Sequence, residues 1–219
     1  HKSVPNLNIL VATYFGRLED NIDFVIELPI AGLHIDLDRA PEQLEPVLSA
    51  IAPTKIGLSL GLVSGRNIWK TDLGAAVKLA QKAVDAIGAD RIQVASSSSL
   101  LHTPITVANE KKLKPEVADW FSFATEKCGE VATIGVALKD QAAAAQKLEA
   151  NAKSIAARRD FEKNSDPAVR ERVANIKPED LSSMSPDHHR GEVLRQFLKL
   201  HPFPTATRGS FRETCEIPE

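Results

Sequence analysis

The chain has 219 residues, of which 43% are hydrophobic and 26% charged, and its formal net charge is −2. These values are typical of a soluble globular protein and exclude a chain built mainly from disordered or collagen-like segments. The 27 basic residues nearly balance the 29 acidic ones, and no basic stripe with interleaved aromatic residues occurs. The sequence therefore argues against nucleic acid as a partner.

The sequence also shows no sign of membrane insertion or secretion. No apolar run approaches the roughly 20 residues of a membrane-spanning helix, and no apolar segment follows a basic N-terminus. Cys128 and Cys215 lie far apart without a CxxC or CxxH neighbour, which favours two free thiols over a disulfide or a cysteine-rich metal site. We therefore expect a cytoplasmic protein with no membrane partner.

The first half of the chain alternates between two hydrophobic periods. Four apolar segments rich in β-branched residues are typical of strands buried on both faces: residues 7–13, 32–37, 55–63 and 91–97. Helical patterns lie between them. The clearest has Asp72 as its N-cap, an apolar stripe from Leu73 to Ile87, and Gly88 as its C-terminal stop. Such alternation predicts parallel strands joined by right-handed crossovers.

The later part of the chain is predominantly helical. Residues 114–163 form one long helix-forming segment, with a buried face predicted at Trp120, Phe123, Ala124, Val131 and Ile134. The proline-containing residues 164–200 are interpreted as a connector with short helical pieces and a last helix. Residues 201–219 are expected to be extended. With the four βα units in residues 1–113, these segments make up the predicted organisation.

The fold class predicted from this organisation is α/β. A complete (β/α)8 barrel takes roughly 250 residues, whereas only four βα units precede the helical tail. The chain therefore corresponds to half of a TIM-type barrel, or else to an open sheet. Neither GxGxxG nor GxxxxGK[ST] occurs, so nucleotide binding has no support.

Ligands of such folds bind at the carboxyl ends of the strands. In "GLHIDL" the alternation places His34 and Asp36 on one face, which suggests an acid/base pair or a buried polar pair satisfied by neighbouring strands and Arg39. Without a nucleophile or metal ligand beside it, the structural interpretation is favoured.

Two further strand ends carry polar groups. In "SGRNIWK", Arg66 is a candidate clamp for a carboxylate or phosphate, Asn67 a candidate helix cap, and Trp69 a packing anchor. Serines 96–99 followed by His102 suggest a nucleophile and a base, but no GxSxG motif is present. Serines at a strand end more often satisfy backbone groups.

Five ordered motifs and a tail resemble one family. They are "LVATYFG", "LPIAGLHIDLDRAPEQL", "GLVSGRNIWKTDL", "SSLLHTP" followed by Glu110, "WFSFATEKCGEV" and, in the tail, "FPTATRGSF". In this order they resemble the second half of the N-terminal barrel of cobalamin-independent methionine synthase and the linker into its catalytic barrel. The resemblance covers nearly the whole chain. It implies that the first half of the N-terminal barrel would precede His1.

The resemblance implies a methyltransferase that moves a methyl group from 5-methyltetrahydrofolate polyglutamate to homocysteine and so makes methionine. In that family a zinc ion held by His, Cys, Cys and a carboxylate binds the homocysteine sulfur and favours its thiolate. Those ligands belong to the C-terminal barrel. Neither Cys128 nor Cys215 lies in a matching motif, so no catalytic residue, metal ligand or bound cofactor is assigned to this chain.

One substrate contact is implied. In the family, an Ile-Gly-Ser motif lies beside homocysteine, and it corresponds to residues 208–210 of this chain. Gly209 and Ser210 match the motif, whereas Arg208 replaces its isoleucine. The chain also departs from the family at Ser97, where a cysteine is common, and at Arg212 and Pro218.

The first hypothesis is thus a fragment of the synthase that is inactive alone and is completed by the missing half of its barrel. The alternative, from another class, is a stand-alone half-barrel that closes its sheet with a second copy and acts as a binding or interaction protein. Open sheet edges and an unfilled lumen would leave a monomer with exposed apolar surface. The alternative therefore requires a defined dimer in gel filtration.

Overall fold

A computed structural model of the chain describes residue 4 and residues 6–161, 166–181 and 187–205. The strands are β1 (Leu10–Ala12), β2 (Gly32–Asp36), β3 (Gly57–Val63) and β4 (Ile92–Ser96). The helices are α1 (Ile22–Ile26), α2 (Leu44–Ile51), α3 (Leu73–Ile87), α4 (Pro115–Ala118), α5 (Ala124–Lys139), α6 (Gln141–Arg159), α7 (Pro167–Ala174) and α8 (Asp187–Phe197). Short 3-10 turns precede or follow several of them.

The four strands form one parallel sheet in the order β1-β2-β3-β4. Every predicted strand is present. The first is shorter than predicted because residues 7 and 8 are exposed and β1 has a neighbour on one side only. Parallel neighbours in sequence order with helices between them confirm the predicted α/β class and are consistent with half of a TIM-type barrel.

The core lies between the sheet and its helices. Leu33, Ile35 and Leu37 extend from the β2 segment into this core, and Leu44, Val47, Leu48 and Ile51 of α2 pack there. Helix α3 begins as predicted, because the Asp72 side chain accepts a hydrogen bond of 2.9 Å from the Ala75 N–H. It ends at Gly88, whose φ of 87° suits glycine.

The long helical segment is divided by Asp140, which caps α6 by accepting a hydrogen bond from the Ala143 N–H. Helix α5 packs against α3, β3 and β4, and α6 packs against α5 and α3. Within the predicted buried face, Trp120, Phe123 and Ile134 are buried, whereas Ala124 and Val131 are half-buried.

The chain divides into two compact units, His1–Asn164 and Ser165–Glu219. In the second unit, α7 and α8 are the helical pieces of the predicted connector and the predicted last helix. Its described large apolar side chains are exposed. In the described part of the chain, no helix is long and apolar enough to cross a membrane.

Candidate functional site

The loops at the carboxyl ends of the strands carry the polar groups singled out in the sequence. Asp36, at the end of β2, is fully buried. Its Oδ2 accepts a hydrogen bond of 2.9 Å from the Phe15 N–H, and its Oδ1 accepts hydrogen bonds from the N–H groups of Asp38 (3.0 Å) and Arg39 (2.9 Å). One carboxylate thus fixes the loops after β1 and β2. Arg39, which the sequence suggested as a partner, satisfies the carboxylate through its backbone N–H.

His34 is also buried and lies in an internal network. Its Nε2 is 3.3 Å from the Ser97 carbonyl oxygen, which can only accept and so takes a hydrogen bond from an Nε2–H group, and its Nδ1 is 2.9 Å from the Ser59 hydroxyl. A Cβ on Gly61 would lie 3.0 Å from the His34 ring and 2.7 Å from the Ile35 carbonyl oxygen. Only glycine fits beside this ring. Both His34 and Asp36 are buried and hydrogen-bonded to neighbouring strands and loops, which agrees with the favoured structural interpretation.

The serine run after β4 serves mainly to satisfy backbone groups, as predicted. Ser97 is buried and its hydroxyl accepts a hydrogen bond of 3.2 Å from the Gly65 N–H. The Ser99 hydroxyl accepts from the Leu101 N–H and caps a 3-10 turn that ends at the exposed His102. Ser98 is buried and its hydroxyl has no hydrogen-bond partner among the described residues.

Arg66 is exposed on the loop after β3. Its guanidinium carbon lies 4.6 Å from the centre of the Phe15 ring, a cation–π contact that joins the loops after β1 and β3. Phe15 has a φ of 74°, in the left-handed region that non-glycine residues rarely adopt. The hydrogen bond from its N–H to Asp36 holds this conformation in place.

Side chains of α5 form hydrogen bonds with the rest of the loop after β3. Lys127 is fully buried, and its ammonium donates hydrogen bonds to the Asn67 Oδ1 (3.2 Å) and to the Trp69 carbonyl oxygen (3.0 Å). The Asn67 Oδ1 also accepts from the Trp69 N–H at 3.1 Å. Asn67 therefore closes a turn and does not cap α3, because Asp72 occupies that position.

Three further side chains continue this attachment along the loop. Glu130 on α5 accepts a hydrogen bond of 3.1 Å from the Thr71 N–H. Asn151 on α6 donates to the Thr71 carbonyl oxygen (2.9 Å) and accepts from the Leu73 N–H (3.0 Å). The Lys70 ammonium contacts Asp119 at 2.6 Å. Helices α5 and α6 thus fix the backbone between β3 and α3.

Trp69 is a packing anchor, as predicted. Its ring centre lies 5.1 Å from that of Phe121, and the Arg158 guanidinium carbon lies 3.7 Å from the Trp69 ring centre. The backbones of Trp69 and Phe121 also form an isolated antiparallel β-bridge. The Trp69 indole therefore lies between the Phe121 ring and the Arg158 guanidinium. These contacts join the loop to α6 and cover part of the indole surface.

Burial lowers the pKa of Lys127 below its ordinary value of 10.5, and the negative charges of Glu130 and Asp38 oppose that shift. Its ammonium donates hydrogen bonds to two neutral oxygen atoms, and the charges of the two carboxylates act on it from a greater distance. Sequence reasoning did not single out Lys127 or Glu130.

The predicted homocysteine contacts, Arg208, Gly209 and Ser210, lie outside the described residues, as do Arg212, Pro218 and Cys215. Cys128 is a free, exposed cysteine on α5. Within residues 4–205, as far as they are described, no group of three His, Cys, Asp or Glu side chains is arranged to hold a metal ion.

Comparison with known proteins supports the family resemblance. Residues 1–88 match the model of the cobalamin-independent synthase N-terminal domain. The chain is 44% identical over 98% of its length to the 5-methyltetrahydropteroyltriglutamate–homocysteine methyltransferase of Nitrobacter winogradskyi and 45% identical over 95% to that of Saccharomyces cerevisiae. It covers 28% and 27% of those proteins, so it spans little more than a quarter of their length. The resemblance seen in the motifs is therefore confirmed, and the chain is homologous to part of the cobalamin-independent methionine synthases.

Proposed function

We propose that this chain is a structural part of a methyltransferase that transfers a methyl group from 5-methyltetrahydropteroyltriglutamate to homocysteine. The observation that carries the proposal is the identity of 43–45% over 95–99% of the chain with relatives of that name. Such similarity along the whole chain favours a shared role of the same segment. The cytoplasmic location expected from the sequence stays a prediction.

The residues of the chain support a scaffold role. His34 and Asp36 are buried and hydrogen-bonded to Ser59, Ser97 and the neighbouring backbone, which supports a structural role for both side chains. The resemblance implies zinc in the whole enzyme, but the described residues offer no matching ligand set. No zinc-dependent step is therefore assigned to these residues, and the chain alone is proposed to be inactive.

The sheet edges suggest how the scaffold is completed. In the described sheet, β1 pairs only with β2 and β4 pairs only with β3. Each outer edge offers backbone donors and acceptors to one more parallel strand. We propose that the other half of a barrel occupies these edges; pairing with a second copy of the chain is the alternative, and it favours the binding-protein hypothesis.

A segment exchange tests the proposed function. The chain, without other polypeptide, is expected to show no homocysteine-dependent methyl transfer. In the exchange protein, this chain replaces the aligned segment of the yeast relative. The exchange protein is expected to retain methionine formation, because 45% identity preserves a fold. Methyl transfer is measured with purified proteins. Activity of the chain alone, or a folded but inactive exchange protein, would contradict the proposal.

We also propose that Gly209 and Ser210 contact homocysteine in the complete protein and that Arg208 weakens this contact. In the exchange protein, Arg208→Ile is expected to lower the KM for homocysteine about tenfold, because a charged residue beside an apolar pocket disfavours binding by about 1–3 kcal/mol. Arg195→Ile, at an exposed helical site in the described second unit, is the control. An unchanged KM in the Arg208 variant would argue against the contact.

A further inference from the structure

The two faces of the sheet differ in composition. The strand register pairs Leu33 with Leu58 and Leu58 with Ile92, so these side chains share the face that packs against the helices. The alternate residues of each strand lie on the opposite face, which we call the inner face. It consists of Leu10 and Ala12 of β1, Gly32, His34 and Asp36 of β2, Gly57, Ser59 and Gly61 of β3, and Gln93 and Ala95 of β4.

Part of the inner face is filled by side chains of the chain itself. The Leu10 side chain covers Gly32, where a Cβ would lie 2.8 Å from the Leu10 Cδ1. The His34 ring covers Gly61, where a Cβ would lie 3.0 Å from the His34 Cε1. Asp36 is fully buried beneath the loops that it binds. These positions therefore need no further partner.

The remainder of the inner face is uncovered. Ala12 and Gln93, on the two outer strands, are exposed. Leu10 is 48% exposed. A cavity of about 530 Å³ lies at the amino ends of the strands, and its lining includes Leu10, Gly32, Gly57, Ser59 and Gln93. The uncovered part thus reaches from one edge of the sheet to the other.

The composition of this face restricts what can cover it. The interior of a TIM-type barrel is a packed core in which bulky branched side chains dominate. Within the described sheet, the inner face contributes one large apolar side chain, that of Leu10, beside glycines, alanines and polar residues. Two copies of the chain would therefore enclose an interior with one leucine from each copy. Protein interiors contain few voids larger than a water molecule, so a second copy does not complete this core.

We propose that the inner face packs against a half-barrel of different sequence, whose inward side chains are large and apolar. The barrel interior is then divided between a half with small side chains, this chain, and a half with large ones. The inference rests on the proposed function, in which another half-barrel occupies the sheet edges, and it states the chemistry of that partner. Since the chain covers 28% and 27% of two relatives, those proteins contain further sequence in which such a half can lie.

Thiol labelling tests whether the inner face is covered. Ala12→Cys and Gln93→Cys are introduced separately into the chain and into the exchange protein with the yeast relative, and maleimide labelling is followed by peptide mass spectrometry. Both sites are expected to react in the chain alone and at least about tenfold more slowly in the exchange protein, where the partner covers them. Ala145→Cys, at an exposed position of α6, is the control and should react equally in both proteins. Equal labelling of positions 12 and 93 in both proteins would overturn the inference.

The chain alone gives an independent test of the alternative occupant. Labelling of Ala12→Cys is expected to be independent of the concentration of the chain, because a second copy does not cover the inner face. Protection that increases with concentration would mean that a second copy packs there, and would overturn the assignment to a different half-barrel.

A larger side chain tests the size of the partner's residues. Ala12→Leu is expected to lower the Tm of the exchange protein by at least about 2 °C, because an interior already filled by large side chains becomes overpacked. The same change should alter the Tm of the chain alone little, since Ala12 is exposed there, and Ala145→Leu is the control in both proteins. A higher Tm of the exchange protein with Ala12→Leu would mean that a void faces Ala12, and would overturn the inference.

The two proposals fail in different measurements. An exchange protein that forms methionine but is labelled freely at positions 12 and 93 would overturn the packing of the inner face alone. An exchange protein that is protected at both positions but forms no methionine would support the packing and contradict the proposed function.

Discussion

Replacement of Lys127 by methionine is expected to lower the free energy of unfolding by about 3–5 kcal/mol, because two buried hydrogen bonds from a charged donor are lost and each contributes about 1.5–3 kcal/mol. The variant leaves the Asn67 Oδ1 and the Trp69 carbonyl oxygen without their ammonium donor. It also leaves the buried Glu130 without a nearby positive charge. Urea unfolding with an unchanged m-value measures the loss.

Two companion variants locate the cause of this loss. Glu130→Gln in the Lys127→Met background is expected to recover about 1–2 kcal/mol, because it removes the uncompensated charge while an oxygen still accepts from Thr71. Lys82→Met, in an exposed pair with Glu45, should cost under about 0.5 kcal/mol. A Lys127→Met loss as small as that of Lys82→Met would mean that the ammonium does not support the loop.

The same lysine predicts a dependence on pH. Burial lowers its pKa in the native state, so between that lowered pKa and 10.5 the unfolded chain binds more protons than the native chain. The contribution of Lys127 to stability therefore rises with pH in that window. This increment should be absent in Lys127→Met, and an identical pH profile in both proteins would contradict the shift.

Replacement of Asp36 by alanine is expected to cost about 3–4 kcal/mol, because three N–H groups lose the buried carboxylate that accepts from them. The unfavourable φ of Phe15 then has no support, and hydrogen exchange of its amide should accelerate at least about tenfold. Urea unfolding and amide exchange measure the two effects.

Asp36→Asn separates charge from shape at this position. Its Oδ1 can accept on one side, but its Nδ2 faces N–H donors on the other, so a loss of about 2–3 kcal/mol is expected. Asp38→Asn, at the exposed neighbouring acid, should cost under about 1 kcal/mol. Equal effects at both positions would show that the buried carboxylate does not organise the two loops.

The sequence predicted the parts of the fold whose cause is local. The alternation of polar and apolar residues in β2 predicted that His34 and Asp36 share one face of the strand. The N-cap Asp72 and the C-terminal Gly88 predicted the limits of α3. Lys127 and Glu130 were missed because their partners lie on a loop about 60 residues earlier in sequence. A signal was present: they interrupt the apolar stripe of Phe123 and Ile134 at helical spacing, which is typical of a buried polar network.

The proposed homocysteine contact could not be predicted from the sequence pattern alone. Arg208, Gly209 and Ser210 have no periodicity or cap that indicates a ligand, and their role was inferred only from resemblance.

The order of the sheet has a consequence for how the protein folds. Each strand pairs with the strand next in sequence: Leu10 with Gly32, Gly32 with Gly57, and Leu58 with Ile92. No strand pairing in the described sheet has to bridge a distant part of the chain, which keeps the loop-closure entropy of each step small. During synthesis, each βα unit can therefore dock on the unit made just before it, from the N-terminus onward.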